Sequence, residues 1–260
     1  MGAALTGVVA LGLVFAPWIS AYDPAAVEVG PRLSAPSPQH PLGTDELGRD
    51  LLSRLVYGGR VTLRVALGTV LLSATTGSLA GIWLGYRGGR WDAWGMRLVD
   101  VALTFPALVL AMGLAAALGP SLYNAMLAVA AVQFPRYVRL MRGEALRLRQ
   151  REFVEAAHAI GAGEARVLFR HLLPNALPVL LAYATLGFGE STLAVASLSF
   201  LGLGAQPPTP EWGALVNAGR AYLLDQWWYA AAPGVALFVT VTGLNLLGDA
   251  LRQHLDPKMR

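Results

Sequence analysis

The chain contains no cysteine and a single lysine, Lys258, near its end. Without thiols it forms no disulfide, no thiolate metal site and no cysteine nucleophile. The phosphate-cradling loop of ATPases needs Lys followed by Ser or Thr after its glycines. Here Lys258 is followed by Met259, so the chain carries no such loop. Histidine is sparse as well: His40, His158, His171 and His254 are scattered and lack the spacing of a metal-ligating pair. No Gly-x-Ser-x-Gly elbow or comparable nucleophile arrangement occurs, which argues against a hydrolase. Charge is scarce too, at 14% of 260 residues, far below the usual share of a soluble domain.

What the chain has in abundance is hydrophobic length. Apolar residues make up 55% of it and the mean hydropathy is +0.50, so the sequence predicts an all-α membrane protein. A spanning helix needs about 20 apolar residues. Gly2 to Tyr22, Val65 to Tyr86 and Ala230 to Gly248 each supply that without an internal charge. From Val101 to Pro135 no residue is charged, too long for one crossing, and Gly119-Pro120 marks a turn between two. A further span, Ala176 to Gly204, is interrupted only by Glu190. Six helices are expected, over about 3–22, 64–86, 98–118, 121–139, 176–204 and 230–248. The first segment reads as a span rather than a signal peptide, because no basic residue precedes it and no small-x-small pattern follows before Asp23.

The net charge of +4 does not indicate nucleic acid, because the basic residues follow topology. With the amino terminus in the cytoplasm only six of the twenty fall outside: Arg32, Arg49, Arg54, Arg60, Arg64 and Arg220. The excess of positive charge on inner loops therefore predicts cytoplasmic termini, with outer loops at 23–60 and 205–229 and an inner hairpin at 142–175.

Prolines at 24, 31, 36, 38 and 41 keep the first outer loop irregular as far as Thr44. There Thr44 can cap a helix whose Asp45 and Glu46 favour its positive end and whose Leu47, Leu51, Leu52 and Leu55 share a face. Gly77, Gly81 and Gly85, four apart, leave one edge of the second span bare and predict close helix packing. Arg97, Asp100, Gln133, Arg136 and Arg139 read as interfacial anchors. Glu190, an acid inside a span, faces a polar cavity, a neighbouring helix or a proton path. Trp212, Trp227, Trp228 and Tyr229 form an interfacial aromatic group before the last span.

The inner hairpin is the most polar stretch, with six Arg and four Glu between Arg142 and His171. Glu152 to Ile160 predicts a short helix with Phe153, Ala156, Ala157 and Ile160 on one face. Gly161 and Gly163 stop it, and Glu164 to Leu172 begins a second helical stretch whose continuation Pro174 limits. Small side chains at Ala156 and Ala157 permit close approach of another protein, and Glu155 can pair with a partner's arginine.

The run Glu155-Ala156-Ala157, three residues, Gly161, nine residues, His171, one residue, then Leu173-Pro174 resembles the motif of membrane subunits of binding-protein-dependent ABC importers. His171 replaces a usually aliphatic residue. His171 to Asn175, His40 to Asp50 and Leu198 to Gly204 followed by Gln206-Pro207-Pro208 look like the dipeptide, oligopeptide and nickel branch, and the likeness covers nearly the whole chain. It implies a type I importer permease in the bacterial cytoplasmic (inner) membrane, without a cofactor of its own. ATP and Mg would belong to two separate ATPase subunits, gripped through Glu155, Ala156, Ala157, Gly161, Leu173 and Pro174. Other implied partners are a second, similar permease subunit, membrane lipid and an extracytoplasmic solute-binding protein meeting Asp45, Glu46, Arg49, Asp50, Glu211 and Trp212. Glu190 is the candidate for the translocation pathway. The cargo implied is a dipeptide or oligopeptide, with nickel or another small solute as the alternative. An ion-coupled secondary transporter is the other class, and Glu190 is its only support.

Overall fold

The longest helix of the protein starts where an aspartate satisfies its first free amide. In the computed structural model, which describes residues 2–255, the Asp50 carboxylate accepts hydrogen bonds from the Ser53 amide and hydroxyl, both at 2.7 Å. Thr44, expected to cap, lies outside the helix. Its hydroxyl bonds the Pro31 carbonyl and accepts from the Ser34 amide, pinning the irregular loop instead. Asp45 and Glu46 consequently precede the helix rather than fill its first turn.

In chain order the helices are α1 (Gly2–Val14), α2 (Ala16–Ile19), α3 (Leu51–Arg87), α4 (Gly89–Thr104), α5 (Ala107–Leu118) and α6 (Leu122–Leu148). They continue as α7 (Glu152–Ala159), α8 (Glu164–Arg166), α9 (Leu173–Phe200), α10 (Trp212–Gly219) and α11 (Trp227–Leu255). A π-helical turn, Val167–Leu172, joins α8 to α9, and a 3-10 turn, Arg220–Tyr222, follows α10. Among the described residues the only extended pairing is an isolated bridge between Thr44 and Asp50. Lys258 and Arg260, counted above as inner charges, lie outside the described residues.

Among the described residues three helical stretches are long and apolar enough to cross a bilayer: α3, the continuous run Glu164 to Phe200, and most of α11. Helices α4 and α5 meet the same test only as a pair, bent by 93°. That bend departs from the single expected span over 98–118. Pro106 ends the helical hydrogen bonding, and Phe105 before it is extended, at φ −78 and ψ 139. The first segment also differs from its expected 3–22, because α1 stops at Val14 and a short turn with Pro17 in its first positions follows. Thirteen residues reach only about 20 Å. The expected break at Gly119-Pro120 is present: Gly119 takes φ +90 and Ser121 caps α6 by accepting the Asn124 amide at 3.0 Å.

Helix α3 is the spine. Its bare edge lies against α6 so closely that a Cβ on Gly77 would sit 2.6 Å from the Tyr137 Cβ, and one on Gly85 2.7 Å from the Arg142 carbonyl oxygen. Gly81 faces the Val138 carbonyl in the same way. The glycine spacing is thus spent within this chain, on helix–helix contact. Helix α9 packs on both, and α11 lies on α9 and receives α1. The largest buried cluster, with Ile82, Met141, Leu148, Val154, Val167 and Leu172, joins one end of α3 and α6 to the hairpin. The hairpin is therefore packed onto the bundle by its own apolar side chains.

Candidate functional site

Helix α7 ends by two backbone hydrogen bonds that require a glycine. The Gly161 amide donates to the His158 carbonyl at 2.9 Å and the Ala162 amide to the Ala157 carbonyl at 3.0 Å, with Gly161 at φ +80. This pattern satisfies the last carbonyls of the helix and turns the chain sharply. A Cβ at Gly161 would meet nothing within 4 Å, so the requirement lies in the backbone angle and not in space.

The helix shows two faces, and the division is not the expected one. Val154 and Ala157 turn inward, Ala157 being 3% exposed, and join the buried cluster. Phe153, Ala156 and Ile160 turn outward, with Ile160 83% exposed and Glu155 exposed beside them. Ala157 is therefore small because its own bundle approaches it, whereas Ala156 leaves the outer face low.

Three contacts from the ends of α3 and α6 fix the hairpin. Arg87 donates to both carboxylate oxygens of Glu164 at 2.5 and 2.7 Å, and His158 stacks on Tyr86 with ring planes 12° apart. Arg149 donates to the Gly85 carbonyl at 3.0 Å. Between them lies a cavity of about 650 Å3, lined among others by Tyr86, Arg87, Arg149, Gln150, Glu155 and Glu164. The pairing of Arg87 with Glu164 is not legible in the sequence, since only the fold brings these positions together.

Leu173 and Pro174 do not bound the hairpin, because the helix runs through them. The π-helical turn makes this possible. The Leu173 amide donates to Leu168, five residues back, and the wider turn accommodates a proline that has no amide to give. Asn175 Nδ2 donates to the His171 carbonyl at 2.6 Å. His171 sits in this turn with its ring 6.4 Å from that of Phe153.

At the other end of α3 the loop that precedes it is built on buried charge. Asp45, fully buried, accepts from the amides of Leu47 and Arg49, each at 2.9 Å, and from Arg49 Nε at 2.5 Å, with Arg54 Nε at 3.4 Å. Glu46 accepts from Arg49 at 3.1 Å and from the Tyr229 hydroxyl at 2.5 Å. His40 Nδ1 lies 2.9 Å from Asp50. Glu211 caps α10 by accepting the Ala214 amide at 3.0 Å, and it also accepts from the Thr62 hydroxyl at 2.9 Å. Burial pushes its carboxyl above the ordinary range, against the lowering effect of these donors. Trp212 donates Nε1–H to the Leu55 carbonyl at 2.7 Å. Asp45, Arg49, Asp50, Glu211 and Trp212, expected to meet an external protein, are thus buried and bonded within the chain. Tyr229 and Arg54, part of the same network, escaped sequence reasoning because an aromatic before a span and an arginine in a loop read as interfacial and solvated.

Glu190 on α9 pairs with Arg136 of α6 at 2.7 Å. One and two turns along α6, Arg139 pairs with Asp100 at 2.5 Å and Arg142 with Asp92 at 2.6 Å. Of the expected anchors, Asp100, Arg136 and Arg139 are therefore members of a ladder of ion pairs tying α6 to α4 and α9, whereas Arg97 lies over the Trp94 ring and Gln133 accepts from the Ser191 hydroxyl.

Comparison with known proteins fits this arrangement. Residues 77–260 match the family of binding-protein-dependent transport system inner membrane components. The probable D,D-dipeptide transport system permease protein DdpC of Escherichia coli (strain K12) is 50% identical over 248 residues, 95% of this chain and 83% of that protein. The di/tripeptide transport system permease protein DppC of Pseudomonas aeruginosa (strain UCBPP-PA14) is 43% identical over 253 residues, 95% and 84% of the two chains. A chain of the inward-facing MetNI methionine ABC transporter superposes with a TM-score of 0.64 at 20% identity, covering 78% of this chain and 96% of its own, so the fold is shared. The chain belongs to the binding-protein-dependent transport system inner membrane components, the permease subunits of ABC importers.

Proposed function

We propose that this permease forms one half of the membrane passage of an ATP-driven importer of short peptides, with both termini cytoplasmic and six membrane crossings. The observation that carries the reading is α7. A short helix presents Phe153, Glu155, Ala156 and Ile160 outward while Val154, Ala157 and the Arg87–Glu164 pair hold its back to the bundle. An exposed apolar patch rimmed by charge is a surface for a protein partner. Here that partner is an ATPase subunit carrying ATP and Mg, because this chain lacks a P-loop of its own. Glu155, Ala156 and Ile160 enter its groove, Gly161 sets the exit angle, and movement passes through the helix containing Leu173 and Pro174.

A second, similar permease completes the passage and a solute-binding protein delivers cargo from outside. With Asp45, Arg49, Asp50, Glu211 and Trp212 buried, its docking surface falls to exposed outer residues such as Leu223, Leu224 and Trp227. The names of the relatives favour dipeptides over nickel as cargo.

The test replaces Glu155 with Lys in the assembled importer reconstituted in vesicles. Membrane insertion is expected to persist while receptor-stimulated ATP hydrolysis and uptake are both lost. Wild-type rates in that variant would refute the coupling role.

A further inference from the structure

The Arg136–Glu190 pair differs from the charges that hold the outer loop together. In the loop, Arg49 and Asp45 are almost wholly enclosed, with side chains 6% and 0% exposed, and Asp45 is fully bonded. Arg136 and Glu190 are 38% and 59% exposed. Among the described residues Arg136 donates to Glu190 alone, through Nη1, leaving the rest of its guanidinium fork open. Counting from the start of α6, Arg136 lies about 20 Å along the helix, and Glu190 lies about 15 Å before the end of α9. Both fall within the thickness of a bilayer core of about 30 Å. Charges at that depth do not face lipid; they face a protein interior or water.

The surroundings are those of a shallow binding cleft. A cavity of about 520 Å3, within the range of small-ligand sites, is lined by Leu103, Arg136, Arg139, Leu140 and Tyr183. Two cations on adjacent turns, one tyrosine and two leucines thus line it, and Glu190 and Asp100 are the ion-pair partners of those cations.

We propose that this cleft is a low-affinity station for the two charged ends of a short peptide in transit: the α-carboxylate on Arg136 and Arg139, the α-ammonium on Glu190. A guanidinium fork matches a carboxylate in two parallel hydrogen bonds, and Tyr183, Leu103 and Leu140 accept side chains without demanding a particular one. A zwitterion entering between Arg136 and Glu190 exchanges one internal ion pair for two external ones and adds no net charge. Weak binding follows, as a passage needs for release. The station rests on the importer reading above and adds a recognition site inside the membrane to it.

The permease pair with its ATPases, purified without receptor, is dialysed against labelled L-alanyl-L-alanine. N-acetyl-L-alanyl-L-alaninamide, which lacks both charges, serves as competitor. Saturable dialanine binding is expected, with the capped analogue at least about tenfold weaker. Arg136→Gln should weaken dialanine by about tenfold and leave the capped analogue unmoved, so the preference collapses; a merely structural pair would shift both alike. Equal binding of the two compounds, no saturable dialanine binding by the wild type, or wild-type preference in Arg136→Gln would overturn the station. If Arg136→Gln fails to assemble, the wild-type preference decides. Receptor-stimulated ATP hydrolysis by the same wild-type complex separates the two readings. Hydrolysis without dialanine binding removes only the station, whereas dialanine binding without stimulated hydrolysis removes the importer reading and overturns the station with it, leaving a dipeptide site with no part in transit.

Discussion

At the scale of single residues, buried charge does structural work that the sequence disguised. Asp45 is shared by Arg49 and Arg54, both enclosed, so Asp45→Ala leaves two buried guanidinium groups short of a partner. A loss of about 3–5 kcal/mol is expected, visible as a lowered Tm of the purified permease. Glu211 gives a pH dependence. A carboxyl raised above its ordinary value of 4.5 binds its proton more readily folded than unfolded, so its contribution to stability falls as pH rises from about 4.5 through the folded value. Glu211→Gln retains an acceptor for the Ala214 amide and places Nε2 toward the Thr62 hydroxyl, while removing the titration. The Tm of the variant relative to wild type should therefore climb with pH, and parallel profiles would contradict this. In the sequence these residues were recognisable as a polar group in an outer loop. Their burial was not, because it depends on Tyr229 and Thr62, contributed from far along the chain.

At the scale of elements, the hairpin was the most legible part. Glu152 to Ile160 predicted a helix and Gly161 its end, and both are present because the stop is a local backbone event. Which face turns inward was not legible, since Phe153 and Ile160 are as apolar as Val154. The inner face is chosen by Met141, Leu148 and Val167, which are remote in sequence. Pro174 misled for the opposite reason: a local rule was overridden by a π-helical turn that the sequence does not announce. The two hairpin glycines give a contrast. Gly161 sits at φ +80 and Gly163 at φ −70, and neither lacks room for a methyl group. Gly161→Ala should cost about 1–2 kcal/mol and reduce receptor-stimulated ATP hydrolysis. Gly163→Ala should leave hydrolysis within experimental error of wild type, and equal loss in both would show that the angle is not what matters.

At the scale of the whole molecule, the seam between α3 and α6 sets the architecture. Spacing alone revealed it, because glycines four apart leave a bare edge whatever they face; the identity of the facing helix required the fold. Gly81→Ala presses a methyl against the Val138 carbonyl, a backbone atom with nowhere to go. A loss of about 1–3 kcal/mol should appear as a lowered Tm, and an unchanged Tm would mean that the two helices separate freely. The same spine is fastened at both extremities, by Asp50 to the loop before it and by Arg87 to Glu164 on the hairpin. Its 37 residues make a rod of about 55 Å. Pivoting such a rod by about 5° swings the far tip by about 5 Å at a helix rise of 1.5 Å per residue. A modest push that tilts such a rod thus arrives at its far end as a displacement larger than a water molecule, with no chain of side-chain rearrangements between.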